Sequence, residues 1–301
     1  MSAKLDIDWR GREIVVEYRW IDAPVAVNAV NAVNAVNAVN ADGTLNADDA
    51  VNADNANKSN KPNDTAAEQP VMVFLHEGLG SVSLWKDFPD QLCARIGMRG
   101  LVYSRPGYGK STPRAHDEHW AADFMHRQAY EVLPLLLAQL GVQNPWLFGH
   151  SDGASIALLY AAQFPSALKG AIVVAPHLFV EDISIHSIKL AREAYLQQGL
   201  RERLARHHDD VDSAFFGWND VWLSEAFEHW NIETIVPAIR CPLLALQGEQ
   251  DEYGSLHQVL RIRELLPSTE VVTLVNCGHS PHRDQAASLI SAVETFIQRQ
   301  G

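Results

Sequence analysis

Long apolar runs are missing from this chain of 301 residues; none approaches the ~18 residues that a membrane-spanning helix needs. The stretch Met1–Arg10 carries no apolar core of the secretory kind, so a cytoplasmic protein without a membrane partner is expected. Cysteine is scarce. Cys93, Cys241 and Cys277 are scattered, odd in number and without metal-ligand spacing, which argues against a disulfide framework or a metal centre and leaves reduced thiols. Basic charge is also short: 24 Lys and Arg stand against 37 Asp and Glu, a formal net charge of -13. That balance repels phosphate backbones, so nucleic acid is not an expected partner, and it disfavours a strongly anionic substrate. Aromatic residues are absent from Val27 to Ala67, where Val-Asn-Ala is repeated five times before the pattern decays. A period of three serves neither a helix face nor a strand, and nothing there can anchor a core. Residues 25–68 are therefore expected to be a disordered insertion, and removal of about 26–66 to leave activity within a few fold.

What remains is 47% hydrophobic and 20% charged, a composition able to bury one large core. Residues 4–9 and 13–21 alternate and read as an antiparallel hairpin turning at Gly11-Arg12. Apolar strand patterns then recur at 71–76, 100–104, 145–149, 170–175, 242–247 and 270–275, separated by helical patterns at about 88–96, 120–140, 152–163, 255–266 and 284–299. Within 120–140, Pro134 is expected to kink the helix. Such alternation predicts an α/β fold: a mostly parallel sheet with helices on both faces and its site at the carboxyl ends of the strands. The stretch 177–240 breaks the rhythm, being helical with no strand pattern, and reads as a helical lid.

Pro145–Ala154 reads Pro-Trp-Leu-Phe-Gly-His-Ser-Asp-Gly-Ala. An apolar strand before Gly149-His150-Ser151-Asp152-Gly153 and a helical pattern after it suit a serine held on a strained strand-to-helix turn, where the flanking glycines avoid a clash. The helix N-terminus would stabilise negative charge forming beside Ser151. A nucleophilic serine needs a base and a carboxylate to orient that base. Gly248-Glu249-Gln250-Asp251 follows one late strand and Gly278-His279-Ser280-Pro281-His282 follows the next. Asp251 and His279 are the candidates, with Glu249 and Glu252 as rival acids and His282 as rival base. Arg105-Pro-Gly-Tyr-Gly-Lys-Ser111 lacks the glycine spacing of a phosphate loop, so ATP binding is not supported. His116, His119, His207 and His208 lie in polar stretches and read as solvated surface.

With these loops in this order, the chain resembles the α/β-hydrolase superfamily over nearly its whole length apart from about 25–68. His76-Glu77-Gly78 resembles the oxyanion loop of that family, Gly149–Gly153 its nucleophile motif, and Gly248-x-x-Asp251 and Gly278-His279 its acid and base signatures. The resemblance implies an α/β-hydrolase core of residues 1–176 and 241–301, with the lid of 177–240 inserted after the sixth strand. It also implies backbone N–H donors at Gly78 and Asp152 for the oxyanion. Two departures stand out. Glu77 occupies a position where the family usually has glycine, and is expected to face away from the oxyanion or to be paired. Ser104-Arg105 replaces the Asp that many members carry before the Pro-Gly-x-Gly turn. The single long lid is similar to that of the carboxylesterase, enol-lactonase and carbon–carbon bond hydrolase branch, and a serine nucleophile argues against the branches that use aspartate.

The expected chemistry is serine-dependent hydrolysis of a small-molecule ester or lactone through an acyl-enzyme, without metal or organic cofactor. Trp218, Trp222, Phe179 and Arg105 are candidate pocket residues. A carbon–carbon bond hydrolase acting on a dienol carboxylate would need a fixed cation, for which Arg105 and Arg192 are candidates. Both read as surface charges, and alanine at either is expected to change neutral-ester kcat/KM by less than about tenfold. A non-catalytic small-molecule receptor is the alternative of another class. Nothing in the sequence indicates the oligomeric state.

Overall fold

The structure, a computed structural model, describes residues 2–23 and 70–300; the insertion expected at 25–68 lies outside the described residues. The chain begins with strands β1 (Ala3–Trp9) and β2 (Arg12–Ile21), paired antiparallel with Trp9 opposite Arg12. Only two residues are left for the turn, so it falls on Arg10-Gly11 rather than one position later. Both adopt positive φ, 58° and 74°, as a two-residue turn matching the strand twist requires.

Six further strands complete the sheet: β3 (Val71–Leu75), β4 (Arg99–Tyr103), β5 (Trp146–His150), β6 (Gly170–Val174), β7 (Leu243–Gly248) and β8 (Glu270–Leu274). Their order is β1-β2-β4-β3-β5-β6-β7-β8. All neighbours from β4 to β8 run parallel. β3 shows why the strands read as unbroken apolar runs. Val71, Val73 and Leu75 join the core on one face, with the Phe124–Gln139 region and the Asp152–Gln163 helix, whereas Met72 and Phe74 join the core on the other, with the helices Phe88–Ile96 and Ala286–Gln298. A strand covered on both faces has no polar side to present.

The chain steps from β3 out to β4 and then back across to β5. This reversal opens a crevice at the carboxyl ends of β3 and β5, where ligands bind in open α/β sheets.

The helix expected over 120–140 starts at Phe124 and changes pitch: α-helix Phe124–Arg127, a π-turn Gln128–Val132, then α-helix Leu133–Gln139. Pro134 has no N–H to donate, and its ring would meet the carbonyl four residues back in a regular helix. The wider turn just before it relieves that contact. Between β6 and β7 lie helices Asp182–Gln197, Leu200–Leu204 and Val211–Trp222 and two 3-10 segments, Glu225–Phe227 and Glu233–Ala238. One isolated antiparallel bridge, Phe179 to Asn231, ties this segment's two ends together. A single bridge leaves no alternating pattern in the sequence, so none could be read.

Candidate active site

Ser151 directly follows β5, at the N-cap of the Asp152–Gln163 helix, with φ 54° and ψ -122°, a conformation that costs an L-residue energy and persists only where the surroundings enforce it. Here the surroundings are backbone. A Cβ on Gly149 would lie 2.3 Å from the Gly153 carbonyl oxygen, and one on Gly153 would lie 2.1 Å from that of Leu75. The two glycines thus let the Asp152–Gln163 helix start directly against β3. The Ser151 N–H is tied to the Val174 carbonyl at 2.9 Å.

The loops after β7 and β8 meet this serine. His279 Nε2 lies 2.9 Å from Ser151 Oγ, and His279 Nδ1 lies 2.8 Å from Asp251 Oδ1. Asp251 is itself held: Oδ1 accepts from the backbone N–H of Tyr253 at 2.8 Å, and Oδ2 accepts from Gln247 Nε2 at 2.8 Å. Burial would lift the Asp251 carboxyl, but the His279 imidazole and the Tyr253 N–H outweigh it and hold it below the usual aspartate value. Burial likewise pulls His279 down, and the carboxylates of Asp251, Glu252 and Glu77 outweigh it, leaving the imidazole above its ordinary 6.5. Of the rival acids, Glu249 is exposed, and Glu252 accepts from the His279 backbone N–H at 3.1 Å rather than from the ring. His282 is packed against Trp85, Phe88 and His150, away from the serine. Burial pushes it down to about 3.

Gly78 lies on the loop after β3, and its N–H, like that of Asp152, donates to no protein acceptor among the described residues. The Trp218 indole lies so close to Gly78 that a Cβ there would be 2.1 Å from Nε1. Glu77 is paired: Oε2 is 3.6 Å from His150 Nδ1 and Oε1 is 3.5 Å from Arg283 Nη2. Burial raises this carboxyl, but His150, His282 and Arg283 overcome that and hold it well below the usual range.

A cleft of about 220 Å³ opens over Ser151 and His279. Its apolar wall is Leu79, Leu84, Ala191, Leu200, Leu204 and Trp218; its polar rim includes Glu77 and Arg283. Three of the expected pocket residues lie elsewhere. Trp222 is buried behind the serine, its Nε1–H donating to Asp152 Oδ1 at 3.2 Å. Phe179 packs on His257. Arg105 is wholly buried, neither cleft wall nor surface charge. Its backbone and side chain bond to His76 and to the Glu77 carbonyl on the β3 loop, which composition cannot reveal. Arg192 pairs with Asp220. His208 is not surface either: it is 6% exposed, accepts from the Gly109 N–H at 2.9 Å and donates Nε2–H to the Leu79 carbonyl at 3.0 Å, clamping two glycine loops together. Arg283, Leu200 and Leu204 went unnoticed in the sequence. Arg283 follows the histidine loop closely enough to have been suspected; the leucines could not be, because a helical period does not say which face meets the cleft.

Comparison with known proteins agrees with this architecture. The family model described as alpha/beta hydrolase fold matches residues 70–216. An sn-1-specific diacylglycerol lipase of Mus musculus is 25% identical over 78% of this chain and 83% of its own length. A 2-succinyl-6-hydroxy-2,4-cyclohexadiene-1-carboxylate synthase of Klebsiella pneumoniae is 24% identical over 76% of this chain and 94% of its own. Among solved structures, one from a study of the carboxylesterases of Nitrososphaera gargenis superposes with a TM-score of 0.68 at 16% identity, covering 98% of each chain.

Proposed function

On the premise that this chain is an α/β hydrolase, we propose that it hydrolyses uncharged carboxylic esters or lactones through an acyl-serine intermediate. The observation that carries the reading is the relay from Asp251 through His279 to Ser151, 2.8 and 2.9 Å long, on a serine held at positive φ. In this reading Ser151 Oγ attacks the acyl carbon as its proton passes to His279 Nε2, and Asp251 holds the imidazole by Nδ1–H. The N–H groups of Gly78 and Asp152 receive the oxyanion. His279 returns the proton to the departing alkoxide, and water activated by the same imidazole then cleaves the acyl-enzyme. Residues 177–240 act as the lid on the core of 1–176 and 241–301, since Ala191, Leu200, Leu204 and Trp218 from that segment line the cleft over the serine. Their apolar character suits an uncharged acyl or alcohol group of small to medium size.

A panel of p-nitrophenyl esters tests the proposal. Ser151→Ala is expected to lose at least ~10³-fold of the rate; hydrolysis surviving in that variant would remove Ser151 from its role, and ligand binding without turnover by the wild type would favour a receptor. A second reading, cleavage of an acid-bearing substrate, draws on Arg283 in the cleft rim. It is the weaker one, because Glu77 already faces that guanidinium.

A further inference from the structure

The carbonyl of Glu77 and the N–H of Gly78 are the two ends of one peptide plane, and no peptide bond among the described residues is cis. In a trans peptide these groups point in opposite directions. Three donors converge on the Glu77 oxygen: Arg105 Nη2 at 2.8 Å, His76 Nδ1 at 2.7 Å and the Gly80 N–H at 3.1 Å. The Arg105 N–H donates to His76 Nε2 at 3.0 Å, which places the ring proton on Nδ1 and makes it a donor to Glu77. Gly78 N–H is left facing the cleft that contains Ser151.

Arg105 is 0% exposed and has no carboxylate within ion-pair distance among the described residues; its Nη1 has no hydrogen-bond partner among them. Burying a guanidinium with no carboxylate in contact is costly, a cost that the Tyr108 ring 4.8 Å away offsets only in part, and loop architecture alone could be met by a neutral donor. Charge at this point favours the ionised form of buried Asp152, and it has a second consequence, at the peptide to which Arg105 is bonded. A cation bonded to the carbonyl end of a peptide polarises it, strengthening the N–H at the other end as a donor.

Resting on the serine-hydrolase reading above, we infer that Arg105, with His76 beneath it, is a positioning residue for the oxyanion site: it aims the Glu77–Gly78 peptide and charges it for the transition state. Arg105 touches no substrate. Its effect is therefore confined to the state in which the acyl oxygen carries negative charge, and it belongs in kcat rather than in KM. The earlier expectation of a less than tenfold effect at Arg105, made for a surface charge, is replaced.

The experiment compares wild type, Arg105→Met, Arg105→Lys and Ser151→Ala on a neutral short-chain ester, with an alkylboronic acid that forms a tetrahedral anion on the serine as the second readout. Arg105→Met is expected to lower kcat about 10- to 100-fold with KM within about threefold, and to weaken the boronic acid by a matching factor. Arg105→Lys keeps a buried cation and serves where the Met variant fails to fold; it is expected to recover part of kcat and of boronate affinity together. Wild-type kcat in both variants, a loss carried by KM, or unchanged boronate affinity beside a fallen kcat would each overturn the inference. Hydrolysis that persists in Ser151→Ala would instead sink the underlying reading, so the two failures are distinguishable.

Discussion

His279 sits under opposing influences, burial lowering its pKa and three carboxylates raising it, and the carboxylates win. As the base in the proposed mechanism it must be neutral to take the serine proton, so activity is expected to fall as pH drops through its folded value. The acid limb of kcat/KM is accordingly expected above the ~6.5 of a free histidine. Asp251→Asn should move that limb down and lower kcat by about 10⁴-fold, as loss of the orienting carboxylate does in serine hydrolases; a pH-rate profile of both proteins is the check, and a limb unmoved by the substitution would remove Asp251 from the relay. Asp152 presents the converse case. It is 1% exposed, and burial raises its carboxyl from 3.8 to about 6 against the opposing pull of Arg105 and the Trp222 indole. The unfolded chain loses this proton near pH 4 and the folded chain near pH 6, so folding is favoured by this group below pH 4 and loses that contribution as pH rises to about 6. The loss is on the order of 3 kcal/mol. Asp152→Asn keeps an acceptor for Trp222 and removes the charge; its Tm at pH 7.5 should exceed that of the wild type by about 5 °C, with no advantage at pH 3.5. Equal melting curves at both pH values would show that the buried charge is not what costs stability.

At the scale of elements, the junction between β3 and the Asp152–Gln163 helix is set by backbone meeting backbone. Alanine at Gly153 would put a methyl 2.1 Å from the Leu75 carbonyl oxygen, where nothing flexible can give way. Gly153→Ala is expected to destabilise the fold by at least ~3 kcal/mol in urea unfolding, although alanine is the better helix former. Gly97, at φ +68° with open space around it, supplies the contrast: Gly97→Ala should cost only the ~1 kcal/mol of a left-handed alanine. Similar costs at both sites would mean that close approach is not what requires Gly153. The central strands β3 and β5 to β7 were legible in the sequence because both faces of the sheet are covered there and each run is buried throughout; the edge hairpin and the helices were legible from their periods. The pitch change before Pro134 was legible only as a disturbance, since a kink and a widened turn relieve the same missing N–H.

For the whole molecule, charge and shape of the cleft decide between substrates. Arg283 is the cation an acid-bearing substrate would need, but Glu77 lies 3.5 Å from it and a net charge of -13 surrounds both. A neutral short-chain ester is therefore expected to exceed a dienol acid and an enol-lactone acid in kcat/KM, and Arg283→Ala to change neutral-ester kcat/KM by less than about tenfold. A preference of more than a hundredfold for either acid would promote carbon–carbon or acid-lactone cleavage over the present reading. None of the helices among the described residues is long and apolar enough to cross a membrane.

The sequence by itself determined the order of strands and helices, the strained serine turn and the candidate relay of Ser151, Asp251 and His279. These follow from local chemistry: apolar runs bounded by glycine, and polar residues placed just past strand ends. Tertiary structure alone decided which groups stand behind that relay. Arg105 looked like a turn-surface charge and is buried against the Glu77–Gly78 loop; Trp222 looked like pocket wall and donates to Asp152; Glu77 and Arg283, 206 positions apart, face each other across the cleft rim. Such pairings depend on how separate loops fold over a crevice at the sheet's switch point, and the period of a helix or the composition of a loop carries no record of which side will be covered.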